Sequence, residues 1–329
     1  MAPSILHLCS IVGTPHPAGM NSTDTPGSAG FATPSTVAPS TTGPAETAAV
    51  VHPRRGVARV SDLLPGFTGD ILDVLTGDLL SQLDAAAETA DDAVFTSPDD
   101  VTYGAPYRHP RMLWGIGLNY VEHASDLSEG VPEEPASFIK GDHTVIGPGE
   151  AIPIPEQSER TTTEAEVGVV IGRYCRNVEP GDALDYLAGV VPVLDQTAED
   201  ILQRNPRFLT RSKNFPGFFS FGPRIVPLAE AVGNGTFADM EVSTVVNGEV
   251  MRSNTVSHMR YDPAYLISFH SKVMPLYPGD IISTGTPGAI HVTPGDTAEC
   301  RVSGVGVLTN PVTASASGSG HPSVEDEYR

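Results

Sequence analysis

The stretch that most constrains the fold runs from Thr161 to Gly172 and reads TTTEAEVGVVIG. Its unbroken apolar run, Val167 to Ile171, predicts a buried strand, and two glutamates, Glu164 and Glu166, stand two residues apart just before that run. Side chains at positions i and i+2 of a strand leave on the same face, so we expect the two carboxylates to stand side by side.

A second apolar segment, Leu187 to Leu194, ends in a third acid, Asp195. Three hard oxygen ligands with no Cys or His among them fit Mg²⁺, Mn²⁺ or Ca²⁺ better than Zn²⁺, and three ligands leave positions open for water and substrate. The alternative is that Glu164 and Glu166 lie on the solvated face of an edge strand, which is common for an isolated E-x-E pair.

Composition limits the class of protein. The chain has 329 residues, enough for two domains or for one large domain with a small appendage. A formal net charge of -21 argues against nucleic acid or an anionic membrane surface as a partner. The three cysteines, Cys9, Cys175 and Cys300, share no metal-binding spacing, and no apolar stretch reaches the length of a membrane span. We therefore expect a cytoplasmic protein without a secretory signal, a disulfide framework or a zinc site.

The chain divides by composition into four parts. Residues 1–48 are rich in Ser, Thr, Pro, Gly and Ala and predict a disordered tail, within which Met20 is an alternative start to Met1. Residues 49–110 predict a small N-terminal domain and linker, with a helical pattern from Asp70 to Leu83 that continues through the Ala-rich run to Ala90. Residues 111–310 combine many short strands with few helices, so we expect a β-rich α+β domain, followed by a flexible tail over 311–329.

A histidine and an acid follow the first strand of the large domain. If Asn119 caps a helix, His123 and Asp126 lie three residues apart on one helical face, where the carboxylate can fix the imidazole tautomer. His123 is then able to take a proton from water. The alternative is an ordinary surface pair. Further along, Lys213 lies in a loop rich in Gly, Pro and aromatic residues, a composition typical of segments that shape pockets.

Several segments occur here in the order seen in the fumarylacetoacetate hydrolase family: GLNYVEHASD, PASFIKGD, TEAEVGVVIG, the Asp195 segment, RSKNFPGFFSFGP, VVNGEV, LYPGDIISTGTPGA and VGVLTN. The chain resembles that family over about residues 111 to 310, and the preceding segment resembles its small N-terminal domain. The resemblance implies a mixed β-sheet roll that is usually dimeric. It also implies a divalent cation, Mg²⁺ with Mn²⁺ or Ca²⁺ as alternatives, held by Glu164, Glu166 and Asp195.

The resemblance also implies roles for side chains around that cation. His123 matches the general base, Asp126 matches the acid that orients it, and Lys213 matches a lysine that polarises a carbonyl or stabilises an enolate. Three further residues match substrate-binding positions: Tyr120, Lys140 and Thr286.

The sequence departs from the family pattern near Asp195. Relatives often have an arginine four residues after the metal-binding aspartate and a glutamine seven after it, whereas this chain has Glu199 and Leu202. Pro216 also replaces a usual aspartate. Arginine binds carboxylates in a bidentate manner and glutamate cannot. Either another arginine takes over the anionic end of the substrate, or the substrate lacks that group. The candidates for the first case are Arg204, Arg207 and Arg211.

The resemblance implies a metal-dependent hydrolase that cleaves a C–C bond of a 2,4-dioxo acid, such as an acylpyruvate or a fumarylpyruvate-like compound, in the breakdown of aromatic or related compounds. A decarboxylase, isomerase or hydratase of a 2-oxo acid needs the same electron sink, so these reactions remain open. A third reading is a non-catalytic, metal-stabilised dimer that binds a ligand. The expected partners are a small oxo acid and a second copy of the chain.

Overall fold

Three β-sheets and seven short helices make up the part of the chain that the computed structural model describes, which is residues 5–12, 46–120 and 132–315. The strands are β1 (His7–Val12), β2 (Glu46–His52), β3 (Gly56–Arg59), β4 (Thr102–Gly104), β5 (Leu113–Gly117), β6 (Ala136–Lys140), β7 (Val145–Ile146), β8 (Ile152–Ile154), β9 (Thr161–Ile171), β10 (Leu187–Ala198), β11 (Phe219–Phe221), β12 (Arg224–Ile225), β13 (Glu241–Val246), β14 (Glu249–Thr255), β15 (Ile281–Ser283), β16 (Ala289–His291), β17 (Thr297–Val302) and β18 (Gly306–Ala314). The helices are α1 (Val60–Leu63), α2 (Ile71–Thr76), α3 (Leu80–Thr89), α4 (Glu199–Arg204), α5 (Leu209–Lys213), α6 (Leu228–Val232) and α7 (Pro263–Val273).

The strands form a mixed, β-rich architecture, which confirms the predicted α+β class. The first sheet has the order β12-β1-β2-β3, with β4 paired to β1. The second has the order β6-β5-β15-β9-β10-β11-β7, with β16 paired to β9, and contains both parallel and antiparallel pairs. The third has the order β14-β13-β17-β18-β8.

The antiparallel pair of β9 and β10 runs through the centre of the second sheet. Alternate side chains of β9 enter different cores: Val167, Val169 and Ile171 pack in the largest core, whereas Val170 packs in the core shared with the first sheet. Burial on both faces explains the continuous apolar run, because neither face of this segment meets water. Asp195 does not end its strand as predicted, since β10 continues to Ala198 and pairs as far as Thr161.

The prediction of a disordered tail over residues 1–48 is wrong for β1 and for the start of β2. Strand β1 lies between β2 and β12, with Leu8 opposite both Val50 and Ile225. Leu8 faces one core and Cys9 faces another, so the short segment buries both of its faces. The composition of 48 residues conceals this strand, because the apolar alternation is only six residues long. A start at Met20 would remove it.

Other boundaries also shift. The predicted tail over 311–329 is wrong at its beginning, because β18 continues to Ala314 and pairs with β8. The helical segment predicted from Asp70 to Ala90 is two helices, interrupted at Gly77 and Asp78, where Asp78 has a φ of 53°. Asp70 begins α2 with a capping box, in which its side chain accepts from the Asp73 amide.

Asn119 forms tertiary hydrogen bonds at the end of the first strand of the large domain. Its amide nitrogen donates to the carbonyl oxygens of Tyr261 at 2.9 Å and Thr284 at 2.7 Å, and its oxygen accepts from the Tyr261 amide at 2.9 Å. It therefore joins the Tyr261 segment to the end of β15. The helix that we predict over His123 and Asp126 lies outside the described residues. Among the described helices, none has the length and apolar character needed to cross a membrane.

Candidate metal and active site

Three carboxylates converge where β9 and β10 pair. Glu164 and Asp195 lie directly opposite each other in the ladder, and Glu166 is two residues further along β9. Residues directly opposite in an antiparallel pair share a face, as do residues two apart in one strand. One oxygen of each carboxylate lies within 4.8 Å of the other two. Asp195 and Glu166 are buried and Glu164 is half-buried, so the structure brings together all three predicted acids away from an open surface.

The loop after β15 fixes Glu166. Its Oε2 atom accepts hydrogen bonds from the Ser283 hydroxyl at 2.6 Å and from the Gly285 amide at 2.7 Å. Gly285 has a φ of 101°, and an added Cβ would approach the side chain of Asn119 to 2.8 Å. Glycine is therefore required where this loop turns onto the carboxylate. Thr286 is buried in the same loop and its hydroxyl hydrogen-bonds with the Gly288 backbone at 3.2 Å.

Threonine hydroxyls orient the outer carboxylate, Glu164. Thr197, two residues after Asp195 on β10, donates to Oε1 of Glu164, and Thr162 approaches the same oxygen at 3.5 Å. The other oxygen, Oε2, accepts from the ammonium group of Lys213 at 3.1 Å. Each oxygen of Glu164 thus has a donor that limits its rotation.

Two buried lysines contact Asp195. The Lys213 ammonium donates to Oδ2 at 2.8 Å, and the Lys140 ammonium donates to Oδ1. Lys140 also donates to the carbonyl oxygens of Phe218 at 2.6 Å and Gln196 at 3.3 Å. These bonds use the three N–H groups of Lys140, which differs from its expected role as a substrate contact. We propose instead that Lys140 positions Asp195, because no N–H remains for a ligand.

The charged groups of this cluster shift one another's pKa values. Burial would raise the pKa of Asp195, but the ammonium groups of Lys140 and Lys213 hold it below the ordinary value. Burial, with a contribution from Lys213, lowers the pKa of Lys140 to about 8 against the attraction of Asp195. Burial opposes the charge of Lys213, but Asp195 and Glu164 keep the pKa of that lysine above its ordinary value. Burial, reinforced by repulsion from Asp195 and Glu164, raises the pKa of Glu166 to about 8.

The donor set fits a divalent cation. Three carboxylates face two ammonium groups, so the side chains of the cluster leave an excess of negative charge when every group is ionised. The candidate ligands are all hard oxygens, which suits Mg²⁺, Mn²⁺ or Ca²⁺. Glu164, Glu166 and Asp195 are the residues that would hold the ion.

The other predicted site residues lie in the protein core or outside the described residues. Tyr120 is fully buried in the largest core, and its backbone pairs with Met259. His123 and Asp126 lie outside the described residues. Their roles, and those of Tyr120 and Thr286 towards a substrate, remain proposals.

The structure also pairs Glu199, one of the departures from the family pattern, with an arginine that sequence reasoning missed. The Arg160 guanidinium donates to the Glu199 carboxylate through Nε. Among the arginines considered from sequence, Arg204 contacts Asp200 at 3.1 Å and Arg211 contacts Gln157 at 3.0 Å. The missed signal was an alternation of period two, in which Arg160 lies in phase with both glutamates of β9.

The fold and the acid cluster together are those of a known family of enzymes. Residues 112–313 match the family described as Fumarylacetoacetate (FAA) hydrolase C-terminal. The chain therefore belongs to the fumarylacetoacetate hydrolase family, as its resemblance predicts. Members of the family are enzymes that use divalent metal ions and bind small molecules.

Relatives with different reactions resemble this chain. It is 38% identical over 208 residues to the 4-hydroxyphenylacetate degradation bifunctional isomerase/decarboxylase of Escherichia coli, covering 63% of this chain and 48% of that one. It is 32% identical over 222 residues to the mitochondrial oxaloacetate tautomerase Fahd2a of Rattus norvegicus, covering 64% and 69%. The solved fumarylacetoacetate hydrolase from Exiguobacterium antarcticum superposes with a TM-score of 0.69 at 27% identity, covering 82% and 95%.

Proposed function

We propose that this chain is a divalent-metal-dependent hydrolase that cleaves a C–C bond of a 2,4-dioxo acid, with an acylpyruvate or fumarylpyruvate-like compound as substrate. The observation that supports the proposal is the position of Lys213. Its ammonium group lies 2.8 Å from Asp195 and 3.1 Å from Glu164, beside the oxygens that would hold the ion. Together the Lys213 ammonium group and the bound ion would supply positive charge where an enolate develops.

The residues of the site have different roles in the proposed reaction. A divalent ion held by Glu164, Glu166 and Asp195 supplies a Lewis acid that lowers the energy of negative charge on the oxygens of the oxo acid. Lys213 carries a fixed positive charge at the same place, because two carboxylates hold its ammonium group. The Ser283 hydroxyl and the Gly285 amide do not reach the substrate in this scheme, since they hold Glu166. Their contribution is to keep the ligand in position.

A base must activate water for hydrolysis. We propose His123 for this step, with Asp126 orienting it, as the resemblance implies. Water adds to the distal carbonyl carbon and gives up a proton to the imidazole. The C–C bond then breaks, its electron pair passes to the 2-oxo acid fragment, and protonation of that fragment gives pyruvate or a homologue together with a carboxylic acid.

A second candidate is isomerisation, tautomerisation or decarboxylation of a 2-oxo acid. The observation that favours it is that two relatives above 30% identity are an isomerase/decarboxylase and a tautomerase. These reactions need the same stabilisation of an enolate, but they move only a proton or release carbon dioxide. A ligand-binding protein without turnover is disfavoured by Lys213, because a purely structural site has no need of an ammonium group shared by two metal ligands.

A product assay on the Mg²⁺-reconstituted protein tests the proposal. Acylpyruvate, oxaloacetate and an unsaturated 2-hydroxydienoate are offered in parallel, and products are resolved by mass. Pyruvate and a carboxylic acid from the acylpyruvate are the expected result. Carbon dioxide or a product of unchanged mass would move the assignment to the second candidate, and no turnover with the ion bound would favour the binding protein.

The variant His123→Ala should abolish hydrolysis and leave ion binding intact. The matched control is His109→Ala, because His109 forms an exposed pair with Asp142 at 3.0 Å on another part of the chain. Equal turnover in the two variants would remove His123 from the mechanism.

We also propose that the enzyme is a cytoplasmic homodimer. Light scattering coupled to gel filtration tests the oligomeric state.

A further inference from the structure

The face of the strand pair that carries the three acids continues beyond them. On β9 the residues in phase with Glu164 are Glu166, Thr162 and, just before the strand, Arg160. The pairing continues as well, because the Glu199 amide donates to the Arg160 carbonyl at 2.9 Å. Arg160 and Glu199 therefore lie opposite each other at one end of the face that bears Glu164 and Asp195.

Arg160 presents part of its guanidinium to solvent. Its side chain is 51% exposed, whereas that of Glu199 is 14% exposed. The Glu199 carboxylate is also held by the side-chain amide of Gln203 at 3.1 Å. Arg160 donates to Glu199 through Nε, and its terminal nitrogens have no hydrogen-bond partner within the described ranges. Glu199 is thus the anchored member of the pair, and the outer edge of the guanidinium is available to a ligand.

The distance between Arg160 and the acid cluster follows from the geometry of the strand. Arg160 and Glu164 are four positions apart along the strand direction, which corresponds to roughly 13 Å between their Cα atoms. The residues between them on this face, Thr162 and Thr197, are neutral and direct their hydroxyls to Glu164. On this face of the strand pair, the next charged side chains beyond the acids are therefore Arg160 and its partner Glu199. A guanidinium binds a carboxylate through two parallel hydrogen bonds, so an anionic tail suits this end.

We propose that Arg160 is a specificity-determining residue that binds the distal carboxylate of an extended dicarboxylic 2-oxo acid, and that Glu199 positions it. The inference rests on the proposed function, because the 2-oxo acid head must lie at the three acids. Arg204 is a weaker candidate for the same task, since it lies on α4 and pairs with Asp200 of its own helix at 3.1 Å.

Calorimetric titration of the Mg²⁺-loaded protein with two probes that lack the cleavable 2,4-dioxo unit tests the proposal. Pyruvate has the 2-oxo acid head alone, and 2-oxoadipate has the same head with a distal carboxylate. We expect the wild type to bind 2-oxoadipate about tenfold more tightly, as for one partly exposed charge-assisted pair. Arg160→Gln should remove this preference and leave the pyruvate affinity unchanged. Glu199→Ala should reduce the preference without abolishing it, again with unchanged pyruvate binding.

Arg204→Gln is the matched control, because its arginine is exposed to a similar extent, 56%, and also pairs with an acid. It should keep the preference for 2-oxoadipate. The proposal is overturned if the wild type binds the two probes equally, if Arg160→Gln keeps the preference, or if that variant weakens both probes alike. Failure of the wild type to bind pyruvate would instead contradict the proposed function, and the role of Arg160 would fall with it.

Discussion

The two halves of the β9–β10 ladder share one backbone and differ in what they bury. The half from Val167 to Ile171, opposite Leu187 to Pro192, is apolar and packs against cores on both faces. The half from Thr161 to Glu166, opposite Val193 to Ala198, carries the acid cluster and its threonines. The same ladder of hydrogen bonds therefore supports an apolar segment that stabilises the fold and a polar segment that carries the ionisable side chains of the site.

The difference shows how the site is made rigid. Burial of apolar groups contributes about 0.8 kcal/mol per methylene, so the apolar half stabilises the sheet. Burial of a charged group costs several kcal/mol unless the group is paired. The polar half is therefore stable only because its carboxylates and ammonium groups pair with one another. Loss of one member of the cluster leaves another without a partner. The apolar half holds the polar half in register, and the following predictions separate their contributions.

Asp195→Ala should have the largest effect. The side chain of Lys140 has no exposed surface, so the variant leaves a buried ammonium group without its carboxylate. We expect the free energy of unfolding of the metal-free protein to fall by about 3–5 kcal/mol, and ion binding to be lost. Urea unfolding and calorimetry measure these two quantities. Asp92→Ala is the control, because Asp92 forms an ion pair while 92% exposed, and its loss should cost at most about 1 kcal/mol. Similar losses in the two variants would contradict the compensation argument.

Ile171→Ala tests the apolar half. Ile171 is fully buried, and the truncation should lower the free energy of unfolding by about 2–5 kcal/mol through lost burial and the remaining cavity. Ion affinity should not change, because the site lies at the other end of the strand. Val273→Ala, at a side chain 59% exposed, provides the control. A reduced ion affinity in Ile171→Ala would show that the two halves are not separable.

Asp280 is a buried acid at the apolar end, and the charge of Arg111 offsets the cost of its burial only in part. Its Oδ2 accepts from the Tyr277 amide at 2.8 Å, but Oδ1 has no partner in the parts of the chain that are described. Burial raises the pKa of Asp280 to about 6. The folded state therefore binds a proton more tightly than the unfolded state, and stability falls as pH rises from about 4 to about 6.

The variant Asp280→Asn should lack this contribution. Relative to the variant, the wild type should lose up to about 3 kcal/mol of unfolding free energy between pH 4 and pH 7. Urea titrations of both proteins at the two pH values measure the difference. A constant difference between them would mean that Asp280 is not the group that titrates.

Ser283→Ala should have the smallest effect on stability. It removes the 2.6 Å hydrogen bond to Glu166 while leaving the bond from the Gly285 amide. We expect a loss of about 1.5 kcal/mol and an approximately tenfold weaker ion affinity, because residues that orient metal ligands tune binding. Ser61→Ala, at an exposed position of α1, should alter neither. An unchanged ion affinity in Ser283→Ala would show that Gly285 alone orients Glu166.

The sequence predicts the apolar half of this comparison better than the polar half. The continuous apolar run in β9 is a local pattern with a strong physical cause, and it appears in the structure as a buried strand. The register that pairs Glu164 with Asp195 is a long-range property, so the contacts of Lys140 and Arg160 do not follow from spacing. Strand β1 was missed because its neighbours β2 and β12 are far away along the chain, and only they make its six residues a strand.

The most direct test of the central claim, that the polar half of the ladder stabilises an enolate, is proton exchange. The Mg²⁺-loaded protein is incubated with 2-oxoadipate in heavy water, and deuterium entry at C3 is followed by NMR. The account predicts exchange above the buffer rate that requires the ion and is lost in Lys213→Met. Exchange at the same rate in wild type and Lys213→Met, with the ion bound in both, would contradict it.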